Sequence, residues 1–168
     1  MKAIFVFLTL SIFILSSCVK YSQPKLLSLS GEYVVDKITY GQIDNTNDPN
    51  NMVFYPGDLY VNPNETHPFD TIPVGFYKIH LDYTIISFSP SPNPDGSTTW
   101  NEKYLYDVYN QTNTYLGDLA ITMNGTTRVF SIIEDGLENL VLRTKGQWVF
   151  GSSGADESIT LYLTRIGP

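Results

Sequence analysis

From about residue 29 to its end, the chain offers no stretch with the roughly 10–12 residues of 3.6-residue apolar periodicity that a helix needs. Short runs rich in Tyr, Phe, Val, Ile and Thr alternate instead with turn residues. Good helix formers are scarce, with Ala occurring only three times and Glu six. The runs are Glu32–Tyr40, Met52–Val61 (interrupted by Pro56-Gly57), Val74–His80, Tyr83–Phe88 and Thr98–Tyr109, followed by Leu119–Met123, Thr127–Ile133, Leu137–Thr144, Gln147–Phe150 and Ser158–Arg165. Asn124-Gly125 between two of them is the strongest two-residue hairpin signal, since a type I′ turn needs positive φ at both central residues. Many short strands with closely spaced turns predict an all-β domain, an antiparallel barrel or a β-sandwich of about nine or ten strands. In the first strand the pattern sets Tyr33, Val35 and Lys37 on one face, against Val34, Asp36 and Ile38 on the other.

The N-terminus is different. Met1-Lys2 is followed by Ala3–Leu15, a 13-residue stretch that is apolar apart from Thr9 and Ser11. It is shorter than the ~20 residues a membrane-spanning helix needs, and it reads as the helical core of a signal peptide. It ends in Leu15-Ser16-Ser17-Cys18, which resembles a bacterial lipobox: an aliphatic residue, two small residues and then the single Cys of the chain. The resemblance implies cleavage before Cys18, acylation of its thiol and amine, and anchoring to a membrane through the acyl chains. The expected organisation is a signal peptide at 1–17, a tether at 18–28 and one β domain at 29–168. Surface-exported lipoproteins of the Bacteroidota commonly carry acidic residues after the lipidated Cys. Val19-Lys20-Tyr21-Ser22-Gln23 has none, which points to the periplasmic face of the outer membrane.

Charge and side-chain inventory exclude several chemistries. The full chain has a net charge of −7, and loss of residues 1–17 leaves nine basic against seventeen acidic groups, a net charge of −8. A nucleic-acid partner would need a basic stripe, which this chain lacks. A single Cys and two His without ligand spacing provide no zinc set. The loop Asp44–Asn51 alternates acids with polar residues, but Pro49 and Tyr55 stand where a calcium-binding EF-hand needs Gly and Glu. Gly151-Ser152-Ser153-Gly154 is not a nucleophile elbow, and no Gly-rich phosphate loop precedes a helix. The expectation is a non-enzymatic domain with no cofactor and no metal.

The aromatic residues are the remaining candidates. Trp100, Tyr104 and Tyr106 fall on one face of the Thr98–Tyr109 run, and Tyr109 and Tyr115 bracket the amide-rich Asn110-Gln111-Thr112-Asn113. Such rings fill a core, form an assembly interface, or stack on a glycan or protein ligand beside amide hydrogen bonds.

Two resemblances add to this reading. Gly31-Glu32-Tyr33 (with Tyr33 where the Trp of a G-x-W motif would stand), Arg128-Val129-Phe130-Ser131-Ile132 before Leu137, Leu140 and Leu142, and the terminal Leu163-Thr164-Arg165 resemble small lipocalin-like lipoproteins. That resemblance implies a barrel whose last strand is pinned near the first by Arg165. Leu29–Tyr33, Asn93–Trp100 and Leu163–Pro168 are similar to small proteins of crAss-like phages, which infect Bacteroidota. This second resemblance implies a virion structural subunit, or a phage-made lipoprotein in the infected cell. Asp70-Thr71-Ile72 also resembles the O-glycosylation motif of that phylum.

The lipobox reading makes a direct prediction. Cys18→Ser should move the protein from the membrane fraction to the soluble periplasm without unfolding it. Fractionation with a carbonate wash checks this, and a Ser variant that stays with the membrane rules out the lipid anchor.

Overall fold

The computed structural model describes residues 28–41, 52–61, 69, 71–90, 93, 95, 97–145 and 159–168. The expected signal peptide at 1–17, Cys18, residues 18–27 of the expected tether, Asp44–Asn51, Asp70, the expected strand Gln147–Phe150 and Ser152-Ser153 lie outside them. Eleven strands are found among the described residues: β1 (Gly31–Tyr40), β2 (Met52–Phe54), β3 (Leu59–Val61), β4 (Thr71–Pro73), β5 (Lys78–Asp82), β6 (Ile85–Ser89), β7 (Glu102–Tyr109), β8 (Asp118–Met123), β9 (Thr126–Asp135), β10 (Asn139–Lys145) and β11 (Ile159–Gly167).

Of the two expected architectures the chain takes the barrel. From β5 to β11 each strand pairs antiparallel with the next, and β1 pairs with β5 on one side and β11 on the other. Eight strands therefore form a closed, lipocalin-like ring, and β2 is an extra strand beside the second half of β1. On that side of β1, Gly31–Val34 pair with β5 and Ile38–Tyr40 with β2. Between these segments, Val35 N–H donates to Tyr77 O at 2.9 Å and Val35 O accepts from Gly75 N–H at 2.7 Å. The hairpins follow local turn chemistry. Asn124 and Gly125 have φ of 49° and 81°, the positive pair that a type I′ turn requires. The β5–β6 turn is Tyr83-Thr84, so the strand expected from Tyr83 begins at Ile85, and Tyr83 takes the turn's left-handed position with φ of 50°.

Alternate residues of each strand fill the barrel, among them Tyr33, Ile79, Leu81, Ile121, Leu142 and Leu161, all buried. An eight-stranded ring has an interior that side chains can fill or that can hold one small ligand. The segment between β1 and β5 completes the filling. Its short β3–β4 hairpin pairs Tyr60 with Ile72, both buried, and Phe54 meets Tyr60 edge-on at 5.3 Å. Phe69 packs edge-on against Phe88 at 4.9 Å and Phe130 at 5.2 Å.

In β1 the expected alternation breaks. Gly31, Tyr33, Val35, Ile38 and Tyr40 are the buried residues, and the register with β11 shifts between Val35 and Lys37. Asp36 is the extra residue of a β-bulge, so Ile38 belongs to the core face and Lys37 to the outer wall. The cause is burial: Ile38 is fully enclosed, whereas Lys37 on that face would bring an ammonium into an apolar interior.

Closure of the ring is fixed at one end. The Arg165 guanidinium donates to Ser30 O at 2.5 Å, Ser28 O at 3.1 Å and the Tyr33 hydroxyl at 2.5 Å, and lies over the Tyr33 ring at 5.0 Å. The Tyr33 hydroxyl donates in turn to Leu29 O at 2.9 Å. Gly31 makes room for this contact. Its φ is +149°, and an added Cβ would lie 2.8 Å from Arg165 Nη1 and 3.0 Å from Gly167 O. We expect Arg165→Ala to lower stability by about 1–3 kcal/mol, through lost charge-assisted hydrogen bonds. Gly31→Ala should cost about 1–3 kcal/mol by backbone strain. The double variant should lose less than the sum, because removing the guanidinium relieves part of the Cβ clash. Urea unfolding of the four proteins measures this, and a change below about 0.5 kcal/mol for Arg165→Ala means that the arginine has no closing role.

Candidate functional site

The aromatic candidates do not converge. Trp100 lies before β7 and off its inner face, with its ring 5.4 Å from that of His80. His80 alternates with the buried Ile79 and Leu81, so this contact belongs to the outer wall. Trp100 thus departs from the expected shared face, because β7 begins only at Glu102 and periodicity does not extend through the preceding coil. Tyr104 is half-buried with its ring 6.1 Å from Phe88, and its hydroxyl donates to Glu102 at 3.2 Å. Burial, reinforced by the Glu102 carboxylate, raises its pKa. Tyr106 points into the core and is 4% exposed, and its buried hydroxyl has no hydrogen-bond partner. Burial raises its pKa most, followed by Tyr33 and Asp82. Tyr109 is exposed at the end of β7.

Tyr115 belongs to a polar cluster that sequence reading did not reveal. Its hydroxyl donates to the fully buried Asp118 carboxylate in a short hydrogen bond, and Asn110 Nδ2 donates to the same carboxylate at 2.9 Å. Ser131 Oγ donates to it at 3.4 Å. The β7–β8 connection is held by these contacts, with Gly117 at φ +111°, where a Cβ would crowd Tyr109 O at 3.0 Å. The cluster fixes a loop. It has no exposed nucleophile or base, since Asp118 is spent on its donors.

A concave site lies elsewhere, on the outer wall where β1, β11 and β10 run side by side. It is a groove of about 350 Å³ lined by Asp36, Lys37, Glu134, Asn139, Val141, Tyr162, Leu163 and Thr164. Two β-bulges meet here. The first sets Asp36 and Lys37, neighbours in sequence, on the same outer surface. The second is a register shift of β9 against β10, where Leu142 pairs with Ile132 and Val141 with Glu134, leaving Ile133 extra. Thr164 donates to the Asp36 carboxylate in a short hydrogen bond, and Lys37 Nζ lies 3.7 Å from the centre of the Tyr162 ring. This cation–π contact holds the ammonium over the ring while leaving its N–H donors available. The groove therefore offers an ammonium, two carboxylates, an amide and an aromatic ring.

This set can form hydrogen bonds and ion pairs with a small polar ligand. Among the described residues no group of three or more His, Cys, Asp or Glu is placed to hold a metal ion. The one trace of the groove in the sequence is in Glu32–Tyr40, where Val35 and Ile38, successive residues of the core face, stand three positions apart. Thr71 of the Asp70-Thr71-Ile72 motif is exposed in β4. Compared with protein families, curated proteins and solved structures, the chain matches none.

Tyr106 yields a pH-dependent prediction. A tyrosine whose pKa is raised on folding contributes stability that is fully present below the ordinary value of ~10 and is lost as pH rises through its folded value. Tyr106→Phe removes that ionisation and the unpartnered hydroxyl together. The variant should gain about 1 kcal/mol at neutral pH and lose less stability than wild type between about pH 9 and 11. Urea midpoints across that range check both signs, and a destabilised variant means that the hydroxyl has a partner.

Proposed function

We propose that the chain is a lipid-anchored, non-enzymatic barrel that binds a partner at the cell envelope through its outer wall. The observation that carries the reading is the filled interior. Tyr33, Tyr106, Phe69, Phe88 and Phe130 occupy the space that a ligand would take in a hollow barrel, so recognition falls to the outside. The groove at Asp36, Lys37, Glu134, Asn139 and Tyr162 reaches the lower end of ligand-site volumes, about 300–1,000 Å³. Its ammonium, held over the Tyr162 ring, its carboxylates and its amide suit a hydroxyl-rich ligand such as a glycan, whose hydroxyls would bridge these groups. The anchor is acylated Cys18 at the head of the tether, and the location is the periplasmic face of the outer membrane.

A second reading, a structural subunit of a crAss-like phage virion, is favoured by a different surface. Met52, Val53, Tyr55, Leu59, Val61 and Phe76 are exposed apolar residues on and around the β2–β3–β4 segment. An assembly subunit would cover such a patch.

NMR titration of the barrel with N-acetylglucosamine, galactose and their disaccharides should give saturable shifts at Lys37, Asn139 and Tyr162. Tyr162→Ala should weaken binding at least about tenfold, a change of ~1.4 kcal/mol. Unchanged spectra with every sugar, together with concentration-dependent oligomers that Val53→Asp dissolves, would overturn the glycan reading in favour of the virion subunit.

A further inference from the structure

We infer that the barrel docks on a zwitterionic lipid bilayer through the rim at which the chain enters β1. The inference rests on the membrane-tether reading and adds to it a face, a set of contact residues and a headgroup charge.

Strand register sorts the connections into two ends. Gly31 pairs with Leu81, Glu32 with Gly167 and Asn139 with Thr164, and Arg165 N–H donates to Glu138 O at 2.7 Å. The start of β1, the β5–β6 turn, the β7–β8 loop, the β9–β10 turn and the C-terminus therefore share one end. The Asn124-Gly125 turn is at the other.

Tips at this rim carry large apolar side chains where turns ordinarily place Gly, Asn or Asp. Leu137 at the β9–β10 tip is 92% exposed, Ile166 beside it 47%, Tyr83 at the β5–β6 tip 40% and Tyr109 beside the β7–β8 loop 39%. Isolated side chains projecting from several points of a ring suit insertion between lipid headgroups, and tyrosine is enriched at membrane interfaces.

The path of the chain identifies the occupant. Arg165 ties the carbonyls of Ser28 and Ser30 to this end, so the segment before Ser28 joins the barrel at the rim. Cys18 is ten residues upstream, within a reach of at most about 36 Å. An acyl group at Cys18 thus holds the rim at high effective concentration beside the bilayer. Charge selects the headgroup. Among the described residues Asp82, Glu134, Asp135 and Glu138 flank the apolar tips, and the Arg165 guanidinium at this end is engaged with backbone and Tyr33. Anionic lipid would repel this rim and zwitterionic lipid would not.

The test uses the chain from Cys18 onward, which keeps every strand of the ring. The single thiol is coupled to a maleimide phospholipid in phosphatidylcholine nanodiscs containing a spin-labelled lipid, so the geometry is examined whether or not the cell acylates Cys18. Amide signals of Tyr83, Leu137 and Ile166 should broaden, and those of Asn124 and Gly125 should not. For the uncoupled chain, the double substitution Leu137→Asp with Ile166→Asp should lower partitioning onto phosphatidylcholine vesicles about tenfold, and 30% phosphatidylglycerol should weaken wild-type partitioning. Broadening at the opposite end or at neither end, tighter binding to the anionic vesicles, or a lipid-free dimer that buries the rim would each overturn the inference. Intact-mass analysis of the protein from its native source tests acylation separately: a free Cys18 thiol there removes the anchor reading, while nanodisc broadening reports on the rim.

Discussion

The pairing of β1 with β11 is the contact on which the ring depends. Seven strands, β5 to β11, form a meander that needs only neighbours in sequence, but an open meander leaves two edges. β1 removes both edges at once, taking β5 on one side and β11 on the other. Its register with β11 pairs residues more than 100 positions apart, so this closure carries a large loop-closure entropy. Arg165 makes that closure specific. It joins the end of β11 to the carbonyls just before β1, and it fits only because Gly31 has no Cβ.

Closure and filling together set where function can lie. Apolar side chains from all eight strands meet inside the ring, and the β1–β5 excursion adds Phe69 to them. An interior packed in this way resists penetration by a ligand, because opening space for one would forfeit close contacts on all sides. The concave surface at β1, β10 and β11 comes instead from irregularities of the wall. A regular strand gives the outer surface one residue in two, whereas the bulge at Asp36 gives it two in succession and bends the strand. The pairing of Asp36 with Thr164 and the placing of Lys37 over Tyr162 both follow from that single extra residue.

Much of the fold was legible because burial on one face writes a period of two. The Asn124-Gly125 hairpin and the inner residues of β7 and β8 could be read directly from that alternation. The choice of barrel over sandwich could not, since both architectures use the same alternating strands and differ only in whether β1 meets β11. Reading failed where the period is interrupted. Lys37 and Ile38 changed sides because a bulge costs one residue and leaves only a spacing of three between apolar positions. Trp100 left the β7 face because the chain before Glu102 is coil, where alternation has no meaning. The candidate groove was illegible for a deeper reason: Asp36, Glu134, Asn139 and Tyr162 come from four strands, and only the closed register makes them neighbours.

The two ends of the ring follow different turn chemistry. At the far end, Asn124 and Gly125 satisfy a type I′ hairpin with the residues that adopt positive φ most cheaply. At the near end, Tyr83 holds φ of 50° in a two-residue turn, a conformation in which a bulky side chain is strained. Leu137 occupies a tip where nearly any polar residue would serve the backbone as well. Folding alone explains neither choice, since Asn or Gly at position 83 and a polar residue at position 137 would stabilise the same turns at no loss of core. Positions that depart from local preference in this way are expected at functional sites or sites of strain. The near end also receives the N-terminal chain through Arg165, so the same rim that closes the ring carries these exposed residues.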